Sequence, residues 1–277
     1  MRNMLFASIA VVCLGASGLR AESALENGVQ SVEDGDYAAA VEHLEQAVAD
    51  QPQSELARLH LANALIRLGQ QLPAGTERDQ KYDRAAELLR QQLEADPNHW
   101  LAVWDLGQLA LLEGDIAGGS ELVQRAADLD PSSARSRYAV GVTAWMQAFP
   151  AVMEARRVSG LPPARPGPIP DPALRERLRS EQGPRIENGL HQLEEALRLD
   201  SDFQEALLYR NLLLRTSADL ASSEGEARQL LAEADRAIAR ALQMRRRGGP
   251  EAELRADAPP PPLPAPPPPP PPPSPSR

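Results

Sequence analysis

The chain has a single cysteine, Cys13, among its 277 residues. No intramolecular disulfide can form, so stability must come from packed apolar surface alone, which a chain of this length can supply. Catalytic signatures are missing as well: there is no zinc-type His-Glu-x-x-His, no nucleophile elbow, no phosphate-cradling glycine loop and no cysteine pair. The alternating β-branched pattern of a strand is absent, while Leu, Ala, Arg, Glu and Gln, all good helix formers, dominate from Glu22 to Arg247. An excess of positive charge is also lacking. The formal net charge of −10 argues against nucleic acid or an anionic lipid surface as the partner. The four histidines, His43, His60, His99 and His191, are scattered. Glu187, His191 and Glu195 share one helix face at metal-ligand spacing, yet alternating charge of this kind is the pattern of an ordinary solvated face, and the carboxylates Glu42, Glu45 and Glu194 read the same way. Neither a metal nor a cofactor is expected, and no enzyme activity.

Both ends differ from the middle. Arg2 followed by the apolar run Met4 to Leu14 and the small residues Gly15 to Gly18 has the form of a cleaved secretory signal over residues 1–21. The run is shorter than the roughly 20 apolar residues a spanning helix needs. Cleavage after Ala21 would start the mature chain near Glu22, with Gly18 as an alternative, and would place the protein in the periplasm or outside the cell. Removing Arg2 and Arg20, with no acid, would take the charge from −10 to −12. Acylation at Cys13 is disfavoured, because Ala10-Val11-Val12 lacks the small residue that such processing requires just before the cysteine. After Gly248-Gly249-Pro250 the composition turns to proline, including the run Pro266 to Pro273. Proline removes backbone donors and fixes φ, so residues 248–277 are expected to form an extended, disordered polyproline tail. Such a tail is either a solvated spacer or a ligand for an aromatic-lined groove.

Between these ends a phrase recurs. Gly28, Gly35-Asp36-Tyr37, Ala40, Leu44, Ala47 and Pro52 are echoed by Gly107, Gly114-Asp115, Gly119, Val123, Ala126 and Pro131. Small residues where two helices cross and a proline where the pair ends, at a period of about 34, describe a helical-hairpin repeat. The pattern resembles the tetratricopeptide repeat (TPR) family. The resemblance implies an all-α, right-handed superhelical solenoid of about five hairpins, with repeats near 21–54, 55–99, 100–133, 134–203 and a degenerate capping unit 204–247 in which Asn211 and Ala218 replace the usual glycines. The second repeat is interrupted by about 11 extra residues, expected as a loop from Gly69 to Gln80. The Arg245-Arg246-Arg247 cluster would complement the dipole at the end of the last helix.

The fourth repeat breaks at Phe149-Pro150 and resumes at Pro184, leaving an insertion 149–183. Within it, Leu161-Pro162-Pro163 to Pro166-Gly167-Pro168-Ile169-Pro170 cannot be helical, and Asp171 caps a short helix with Pro172 at its first position. It resembles a Pro-Gly-Pro segment followed by Ala-Leu-Arg-Glu in some exported bacterial TPR proteins. Three roles stay open for it: a strap packed on the repeats, a partner contact, or a mobile loop.

In the TPR family, fixed positions of each first helix face a concave groove. Carried across, they give Leu59, Asn63, Ile66, Leu101, Trp104, Gln108, Leu111, Arg135, Tyr138, Val142, Trp145, Leu208 and Leu212. Two tryptophans and a tyrosine would serve as binding hot spots there, or would instead fill space against neighbouring helices. Only Asn63 and Arg135 suit a carboxylate clamp, which makes a clamp doubtful. The resemblance therefore implies an exported scaffold or adaptor for a protein or peptide partner, with no nucleic acid and no membrane span in the mature chain. An accessory subunit of an envelope-spanning, energy-transducing complex, with the tail as spacer, is the alternative.

Overall fold

The computed structural model describes residues 22–162 and 166–254; the expected signal 1–21, residues 163–165 and the proline run beyond 254 lie outside the described residues. These form helices joined by turns, with no strand among them. They divide into two compact units, one ending at Leu109 and the other beginning at Ala110.

The first unit holds α1 (22–33), α2 (Tyr37–Asp50), α3 (Glu55–Gln71), α4 (Thr76–Ala95) and most of α5 (Trp100–Leu112). The recurring Gly-Asp phrase explains the turn between α1 and α2. Gly35 takes a φ of 77°, a left-handed conformation that glycine adopts without steric cost. Its N–H donates to Val32 O at 3.1 Å and that of Asp36 to Ser31 O at 2.9 Å, the paired bonds of a Schellman motif. The Asp36 carboxylate then accepts from Ala39 N at 3.0 Å and caps α2. From α2, Ala40, Val41, Leu44 and Ala47 turn inward. A Cβ on Gly28 would lie 2.5 Å from Leu44 Cγ, so glycine here lets α1 and α2 close on each other. Ser54 caps α3, which packs between α2 and α4. Arg58 of α3 reaches back to Pro52 O (2.6 Å) and across to Gln92 of α4 (3.1 Å).

The second unit holds the end of α5, then α6 (Ile116–Leu129), α7 (Ala134–Val158), α8 (Pro172–Leu199), α9 (Gln204–Asp219) and α10 (Glu224–Leu254). Gly114 (φ 89°) and Asp115 repeat the same turn and cap. At the crossing of α7 and α8 a Cβ on Gly189 would come within 2.6 Å of Ala144 Cβ. At the α9–α10 crossing Asn211 takes the glycine's place and donates to Ala234 O at 2.7 Å, so the larger residue is accommodated by a hydrogen bond.

Three expectations about helix limits are corrected. The segment Gly69 to Gln80 is mostly helical, since α3 runs to Gln71 and α4 starts at Thr76 after Gly75. No break occurs at Phe149-Pro150, because α7 continues to Val158, and α8 runs unbroken through Pro184. An interior proline costs a helix about 3 kcal/mol. Here Pro150 is exposed, whereas Ala148, Val152 and Ala155 on the same stretch are buried, and Leu178, Gln182 and Ile186 continue the inner face past Pro184. Burying that extended face offsets the lost bond. Lastly, α10 passes the limit expected near Arg247 and ends at Leu254, carried by the helix formers Glu251, Ala252, Glu253 and Leu254.

Candidate partner-binding surface

In the first unit the expected groove residues lie on α3 and α5, whose N-terminal ends are neighbours: His99 Nε2 meets Glu55 Oε1 at 2.9 Å. Leu59, Ile66, Trp104 and Gln108 are buried, while Asn63 and Leu101 are partly exposed. Gln108 Nε2 is buried without a hydrogen-bond partner among the described residues.

In the second unit α7 and α9 lie side by side. Leu111, Tyr138, Val142 and Trp145 are buried, Leu212 is half-buried, and Arg135 and Leu208 are exposed. The aromatic residues form a seam. The Tyr138 ring lies 4.8 Å from that of Phe203 and 5.6 Å, edge-on, from that of Tyr209. Trp145 lies 4.7 Å from Phe149 and 5.8 Å, edge-on, from Tyr209. These separations suit the ring quadrupoles. Burial pushes the phenols of Tyr138 and Tyr209 above their ordinary range, for Tyr138 with further contributions from Tyr209 and Glu205. Trp145 is 4% exposed and its Nε1 has no hydrogen-bond partner among the described residues. In the free chain, therefore, the aromatic residues form the wall of this face, and its accessible groups are Arg135, Leu208 and part of Leu212. Phe149, Phe203 and Tyr209 escaped the sequence reading. Phe149 follows Trp145 by one helical turn and could have been found from that spacing.

The Pro-Gly-Pro segment is fastened to this unit. Ile169 is fully buried, and its N–H donates to Asp219 O at 2.9 Å. Gly167 N donates to Asp219 Oδ1 at 2.9 Å. Arg156, itself buried, donates to the same carboxylate and to Pro162 O at 2.6 Å. Arg175 donates to Ile169 O. Burial pushes the Asp219 carboxyl up, against the opposing pull of the Gly167 amide and the Arg156 guanidinium. Asp171 closes the segment by capping α8 through Ala173 N (2.9 Å) and Leu174 N (3.2 Å).

No group of three or more potential metal ligands occurs among the described residues. None of their helices is long and apolar enough to cross a membrane.

Residues 31–70 and 78–141 match the Tetratricopeptide repeat family model. No curated protein matches the chain. Among solved structures, MamA from Desulfovibrio magneticus RS-1 (residue 41 to the end) superposes with a TM-score of 0.51 at 14% identity, covering 83% of this chain and 97% of that one. A MamA RS-1 double mutant gives 0.52 at 14% identity over 83% and 97%. A further MamA structure gives 0.50 at 15% identity over 86% and 97%. At such identities the likeness is one of fold, a TPR-like solenoid.

Proposed function

We propose that this chain, which carries tetratricopeptide repeats over residues 31–70 and 78–141, is an exported, non-enzymatic scaffold that holds a protein or peptide partner. The observation that carries the reading is the repeat architecture itself. Successive hairpins bring their first helices together, α3 and α5 meeting at their N-terminal ends in one unit and α7 lying beside α9 in the other. Such helices give a rigid face whose side chains vary while the packing beneath them does not, and repeat arrays use faces of this kind for binding. Export rests on the leader pattern of residues 1–21.

The contact groups in this reading are Arg135, Leu208 and Leu212 in the second unit, with Asn63 and Leu101 in the first. The aromatic wall of Tyr138, Trp145 and Tyr209 keeps the second set rigid, which lowers the ordering cost of association. Affinity capture from the envelope fraction tests this, comparing the native chain with an Arg135→Glu, Leu208→Asp double variant. Both substitutions fall on exposed positions, so the helical spectrum should be unchanged while the captured protein is lost. Equal capture by both forms would overturn the assignment of the face.

A further inference from the structure

Two open grooves lie in the second unit at equivalent places in successive repeats, and their charge differs. The first is bounded by α6, α7 and α8 and has a volume of about 380 Å³. Its charges balance, with Glu121 and Asp128 against Arg125 and Arg185. The second is bounded by α8, α9 and α10, encloses about 390 Å³, and is lined by Arg198, Arg210, Arg236 and Arg240, with Glu194 as the only acid among the described residues that line it. In a chain with 39 acidic and 29 basic residues such a concentration of one sign runs against the whole.

The four arginines are not equivalent. Arg210 is held by Glu194 (3.0 Å) and Glu233 (3.5 Å), and Arg198 by Glu195 (2.8 Å). Arg240 donates to a backbone oxygen, Ser201 O, at 2.8 Å, which positions the guanidinium without neutralising it. Arg236 has no ion pair or hydrogen bond among the described residues. Arg236 and Arg240 thus stand on the same face of α10 with no carboxylate, beside two arginines already placed by acids. Beneath them Leu197, Leu207 and Ala237 make an apolar floor.

We propose that this groove binds an acidic peptide segment of a partner protein, with carboxylates on Arg236 and Arg240 and an apolar side chain on the Leu197–Leu207 floor. The guanidinium fork matches a carboxylate in two parallel hydrogen bonds, and the floor adds burial that an inorganic anion would not use. A nucleic acid or an anionic membrane would meet the net negative charge of the chain, whereas a short segment engages only the local field. Neither Arg135 nor Leu208 lines this groove, so it would be a second contact beside the α7–α9 face.

Fluorescence anisotropy with the full chain tests this, using the labelled peptide Glu-Asp-Leu-Glu-Asp-Leu-Glu-Asp and its neutral counterpart Gln-Asn-Leu-Gln-Asn-Leu-Gln-Asn. The acidic peptide should bind and weaken with added salt, and the neutral one should not bind. Arg236→Glu should weaken binding about tenfold or more, and so should Arg240→Glu, while Arg185→Glu in the balanced groove should leave it unchanged. Because Arg236 makes no ion pair or hydrogen bond among the described residues, its variant keeps the test valid if Arg240→Glu fails to fold. Equal binding of the neutral peptide, an equal loss with Arg185→Glu, binding of inorganic polyphosphate but not of the peptide, or self-association of the chain that excludes the peptide would each overturn the proposal.

Discussion

Arg156 and Asp219 are 63 positions apart and meet inside the second unit with side chains 1% and 7% exposed. A buried pair of this kind contributes little to stability relative to an apolar one, because desolvating two ions costs nearly what their attraction returns. Its value lies in what else it holds: the Asp219 carboxylate also takes Gly167 N, and Arg156 also takes Pro162 O. One ion pair thus fixes α7, α9 and the Pro-Gly-Pro strap together.

Removing one partner strands the other. Asp219→Ala should lower the unfolding free energy by about 3–5 kcal/mol, read from urea denaturation. It should also open residues 166–170 to limited proteolysis at concentrations where the native strap resists. An Arg156→Met, Asp219→Leu double variant should recover most of the stability but leave the strap cleavable, since it restores packing without the bonds to Gly167 and Pro162.

The aromatic seam predicts a contrast within one face. Trp145 is buried among Phe149 and Tyr209, and Trp145→Ala should cost about 3–5 kcal/mol of folding stability. Exposed Leu208→Ala should stay within about 0.5 kcal/mol of the native value. Thermal melts followed by circular dichroism separate the two.

Two glycines should behave oppositely. A side chain at Gly189 meets Ala144 Cβ at 2.6 Å and Leu213 Cδ1 at 3.0 Å. Gly189→Val should therefore lose about 1–3 kcal/mol or more by overpacking. At Gly225, in the first turn of α10, the nearest atom is Ser223 Oγ at 3.7 Å. Gly225→Ala should gain about 0.5–1 kcal/mol through restricted unfolded-state freedom.

Much of the repeat was legible because its signals are local. Gly35-Asp36 and Gly114-Asp115 recur in the phrase, and each proves to be a left-handed turn followed by an aspartate cap. Pro150 and Pro184 misled because proline's local bias is real but smaller than the burial of Val152, Ala155 and Ile186 around it. The candidate surface was less legible. Repeat spacing places Tyr138 and Trp145 on α7 but does not say what covers them, and their neighbours Phe203 and Tyr209 arrive from a helix far along the chain.

His60 of α3 is half-buried, and burial pushes its pKa below 6.5. The unfolded chain therefore takes up a proton before the folded chain does as the pH falls. The stability tied to neutral His60 is complete above about pH 6.5 and is lost as pH drops through the lower, folded value. His60→Gln should make the pH dependence of the urea midpoint shallower between about pH 5 and 7.

Arrays of hairpins ordinarily yield to force one unit at a time, because each touches only its neighbours. The strap alters that order in this chain. Tension applied at the C-terminal end could strip α10 away by breaking contacts such as Asn211 to Ala234 O. The next helix could not follow alone, since Asp219 at its end is moored to Gly167, Ile169 and Arg156. Under an optical trap, extension should therefore show an early short step for α10 and then a single longer rupture in which α7, α8, α9 and the strap give way at once.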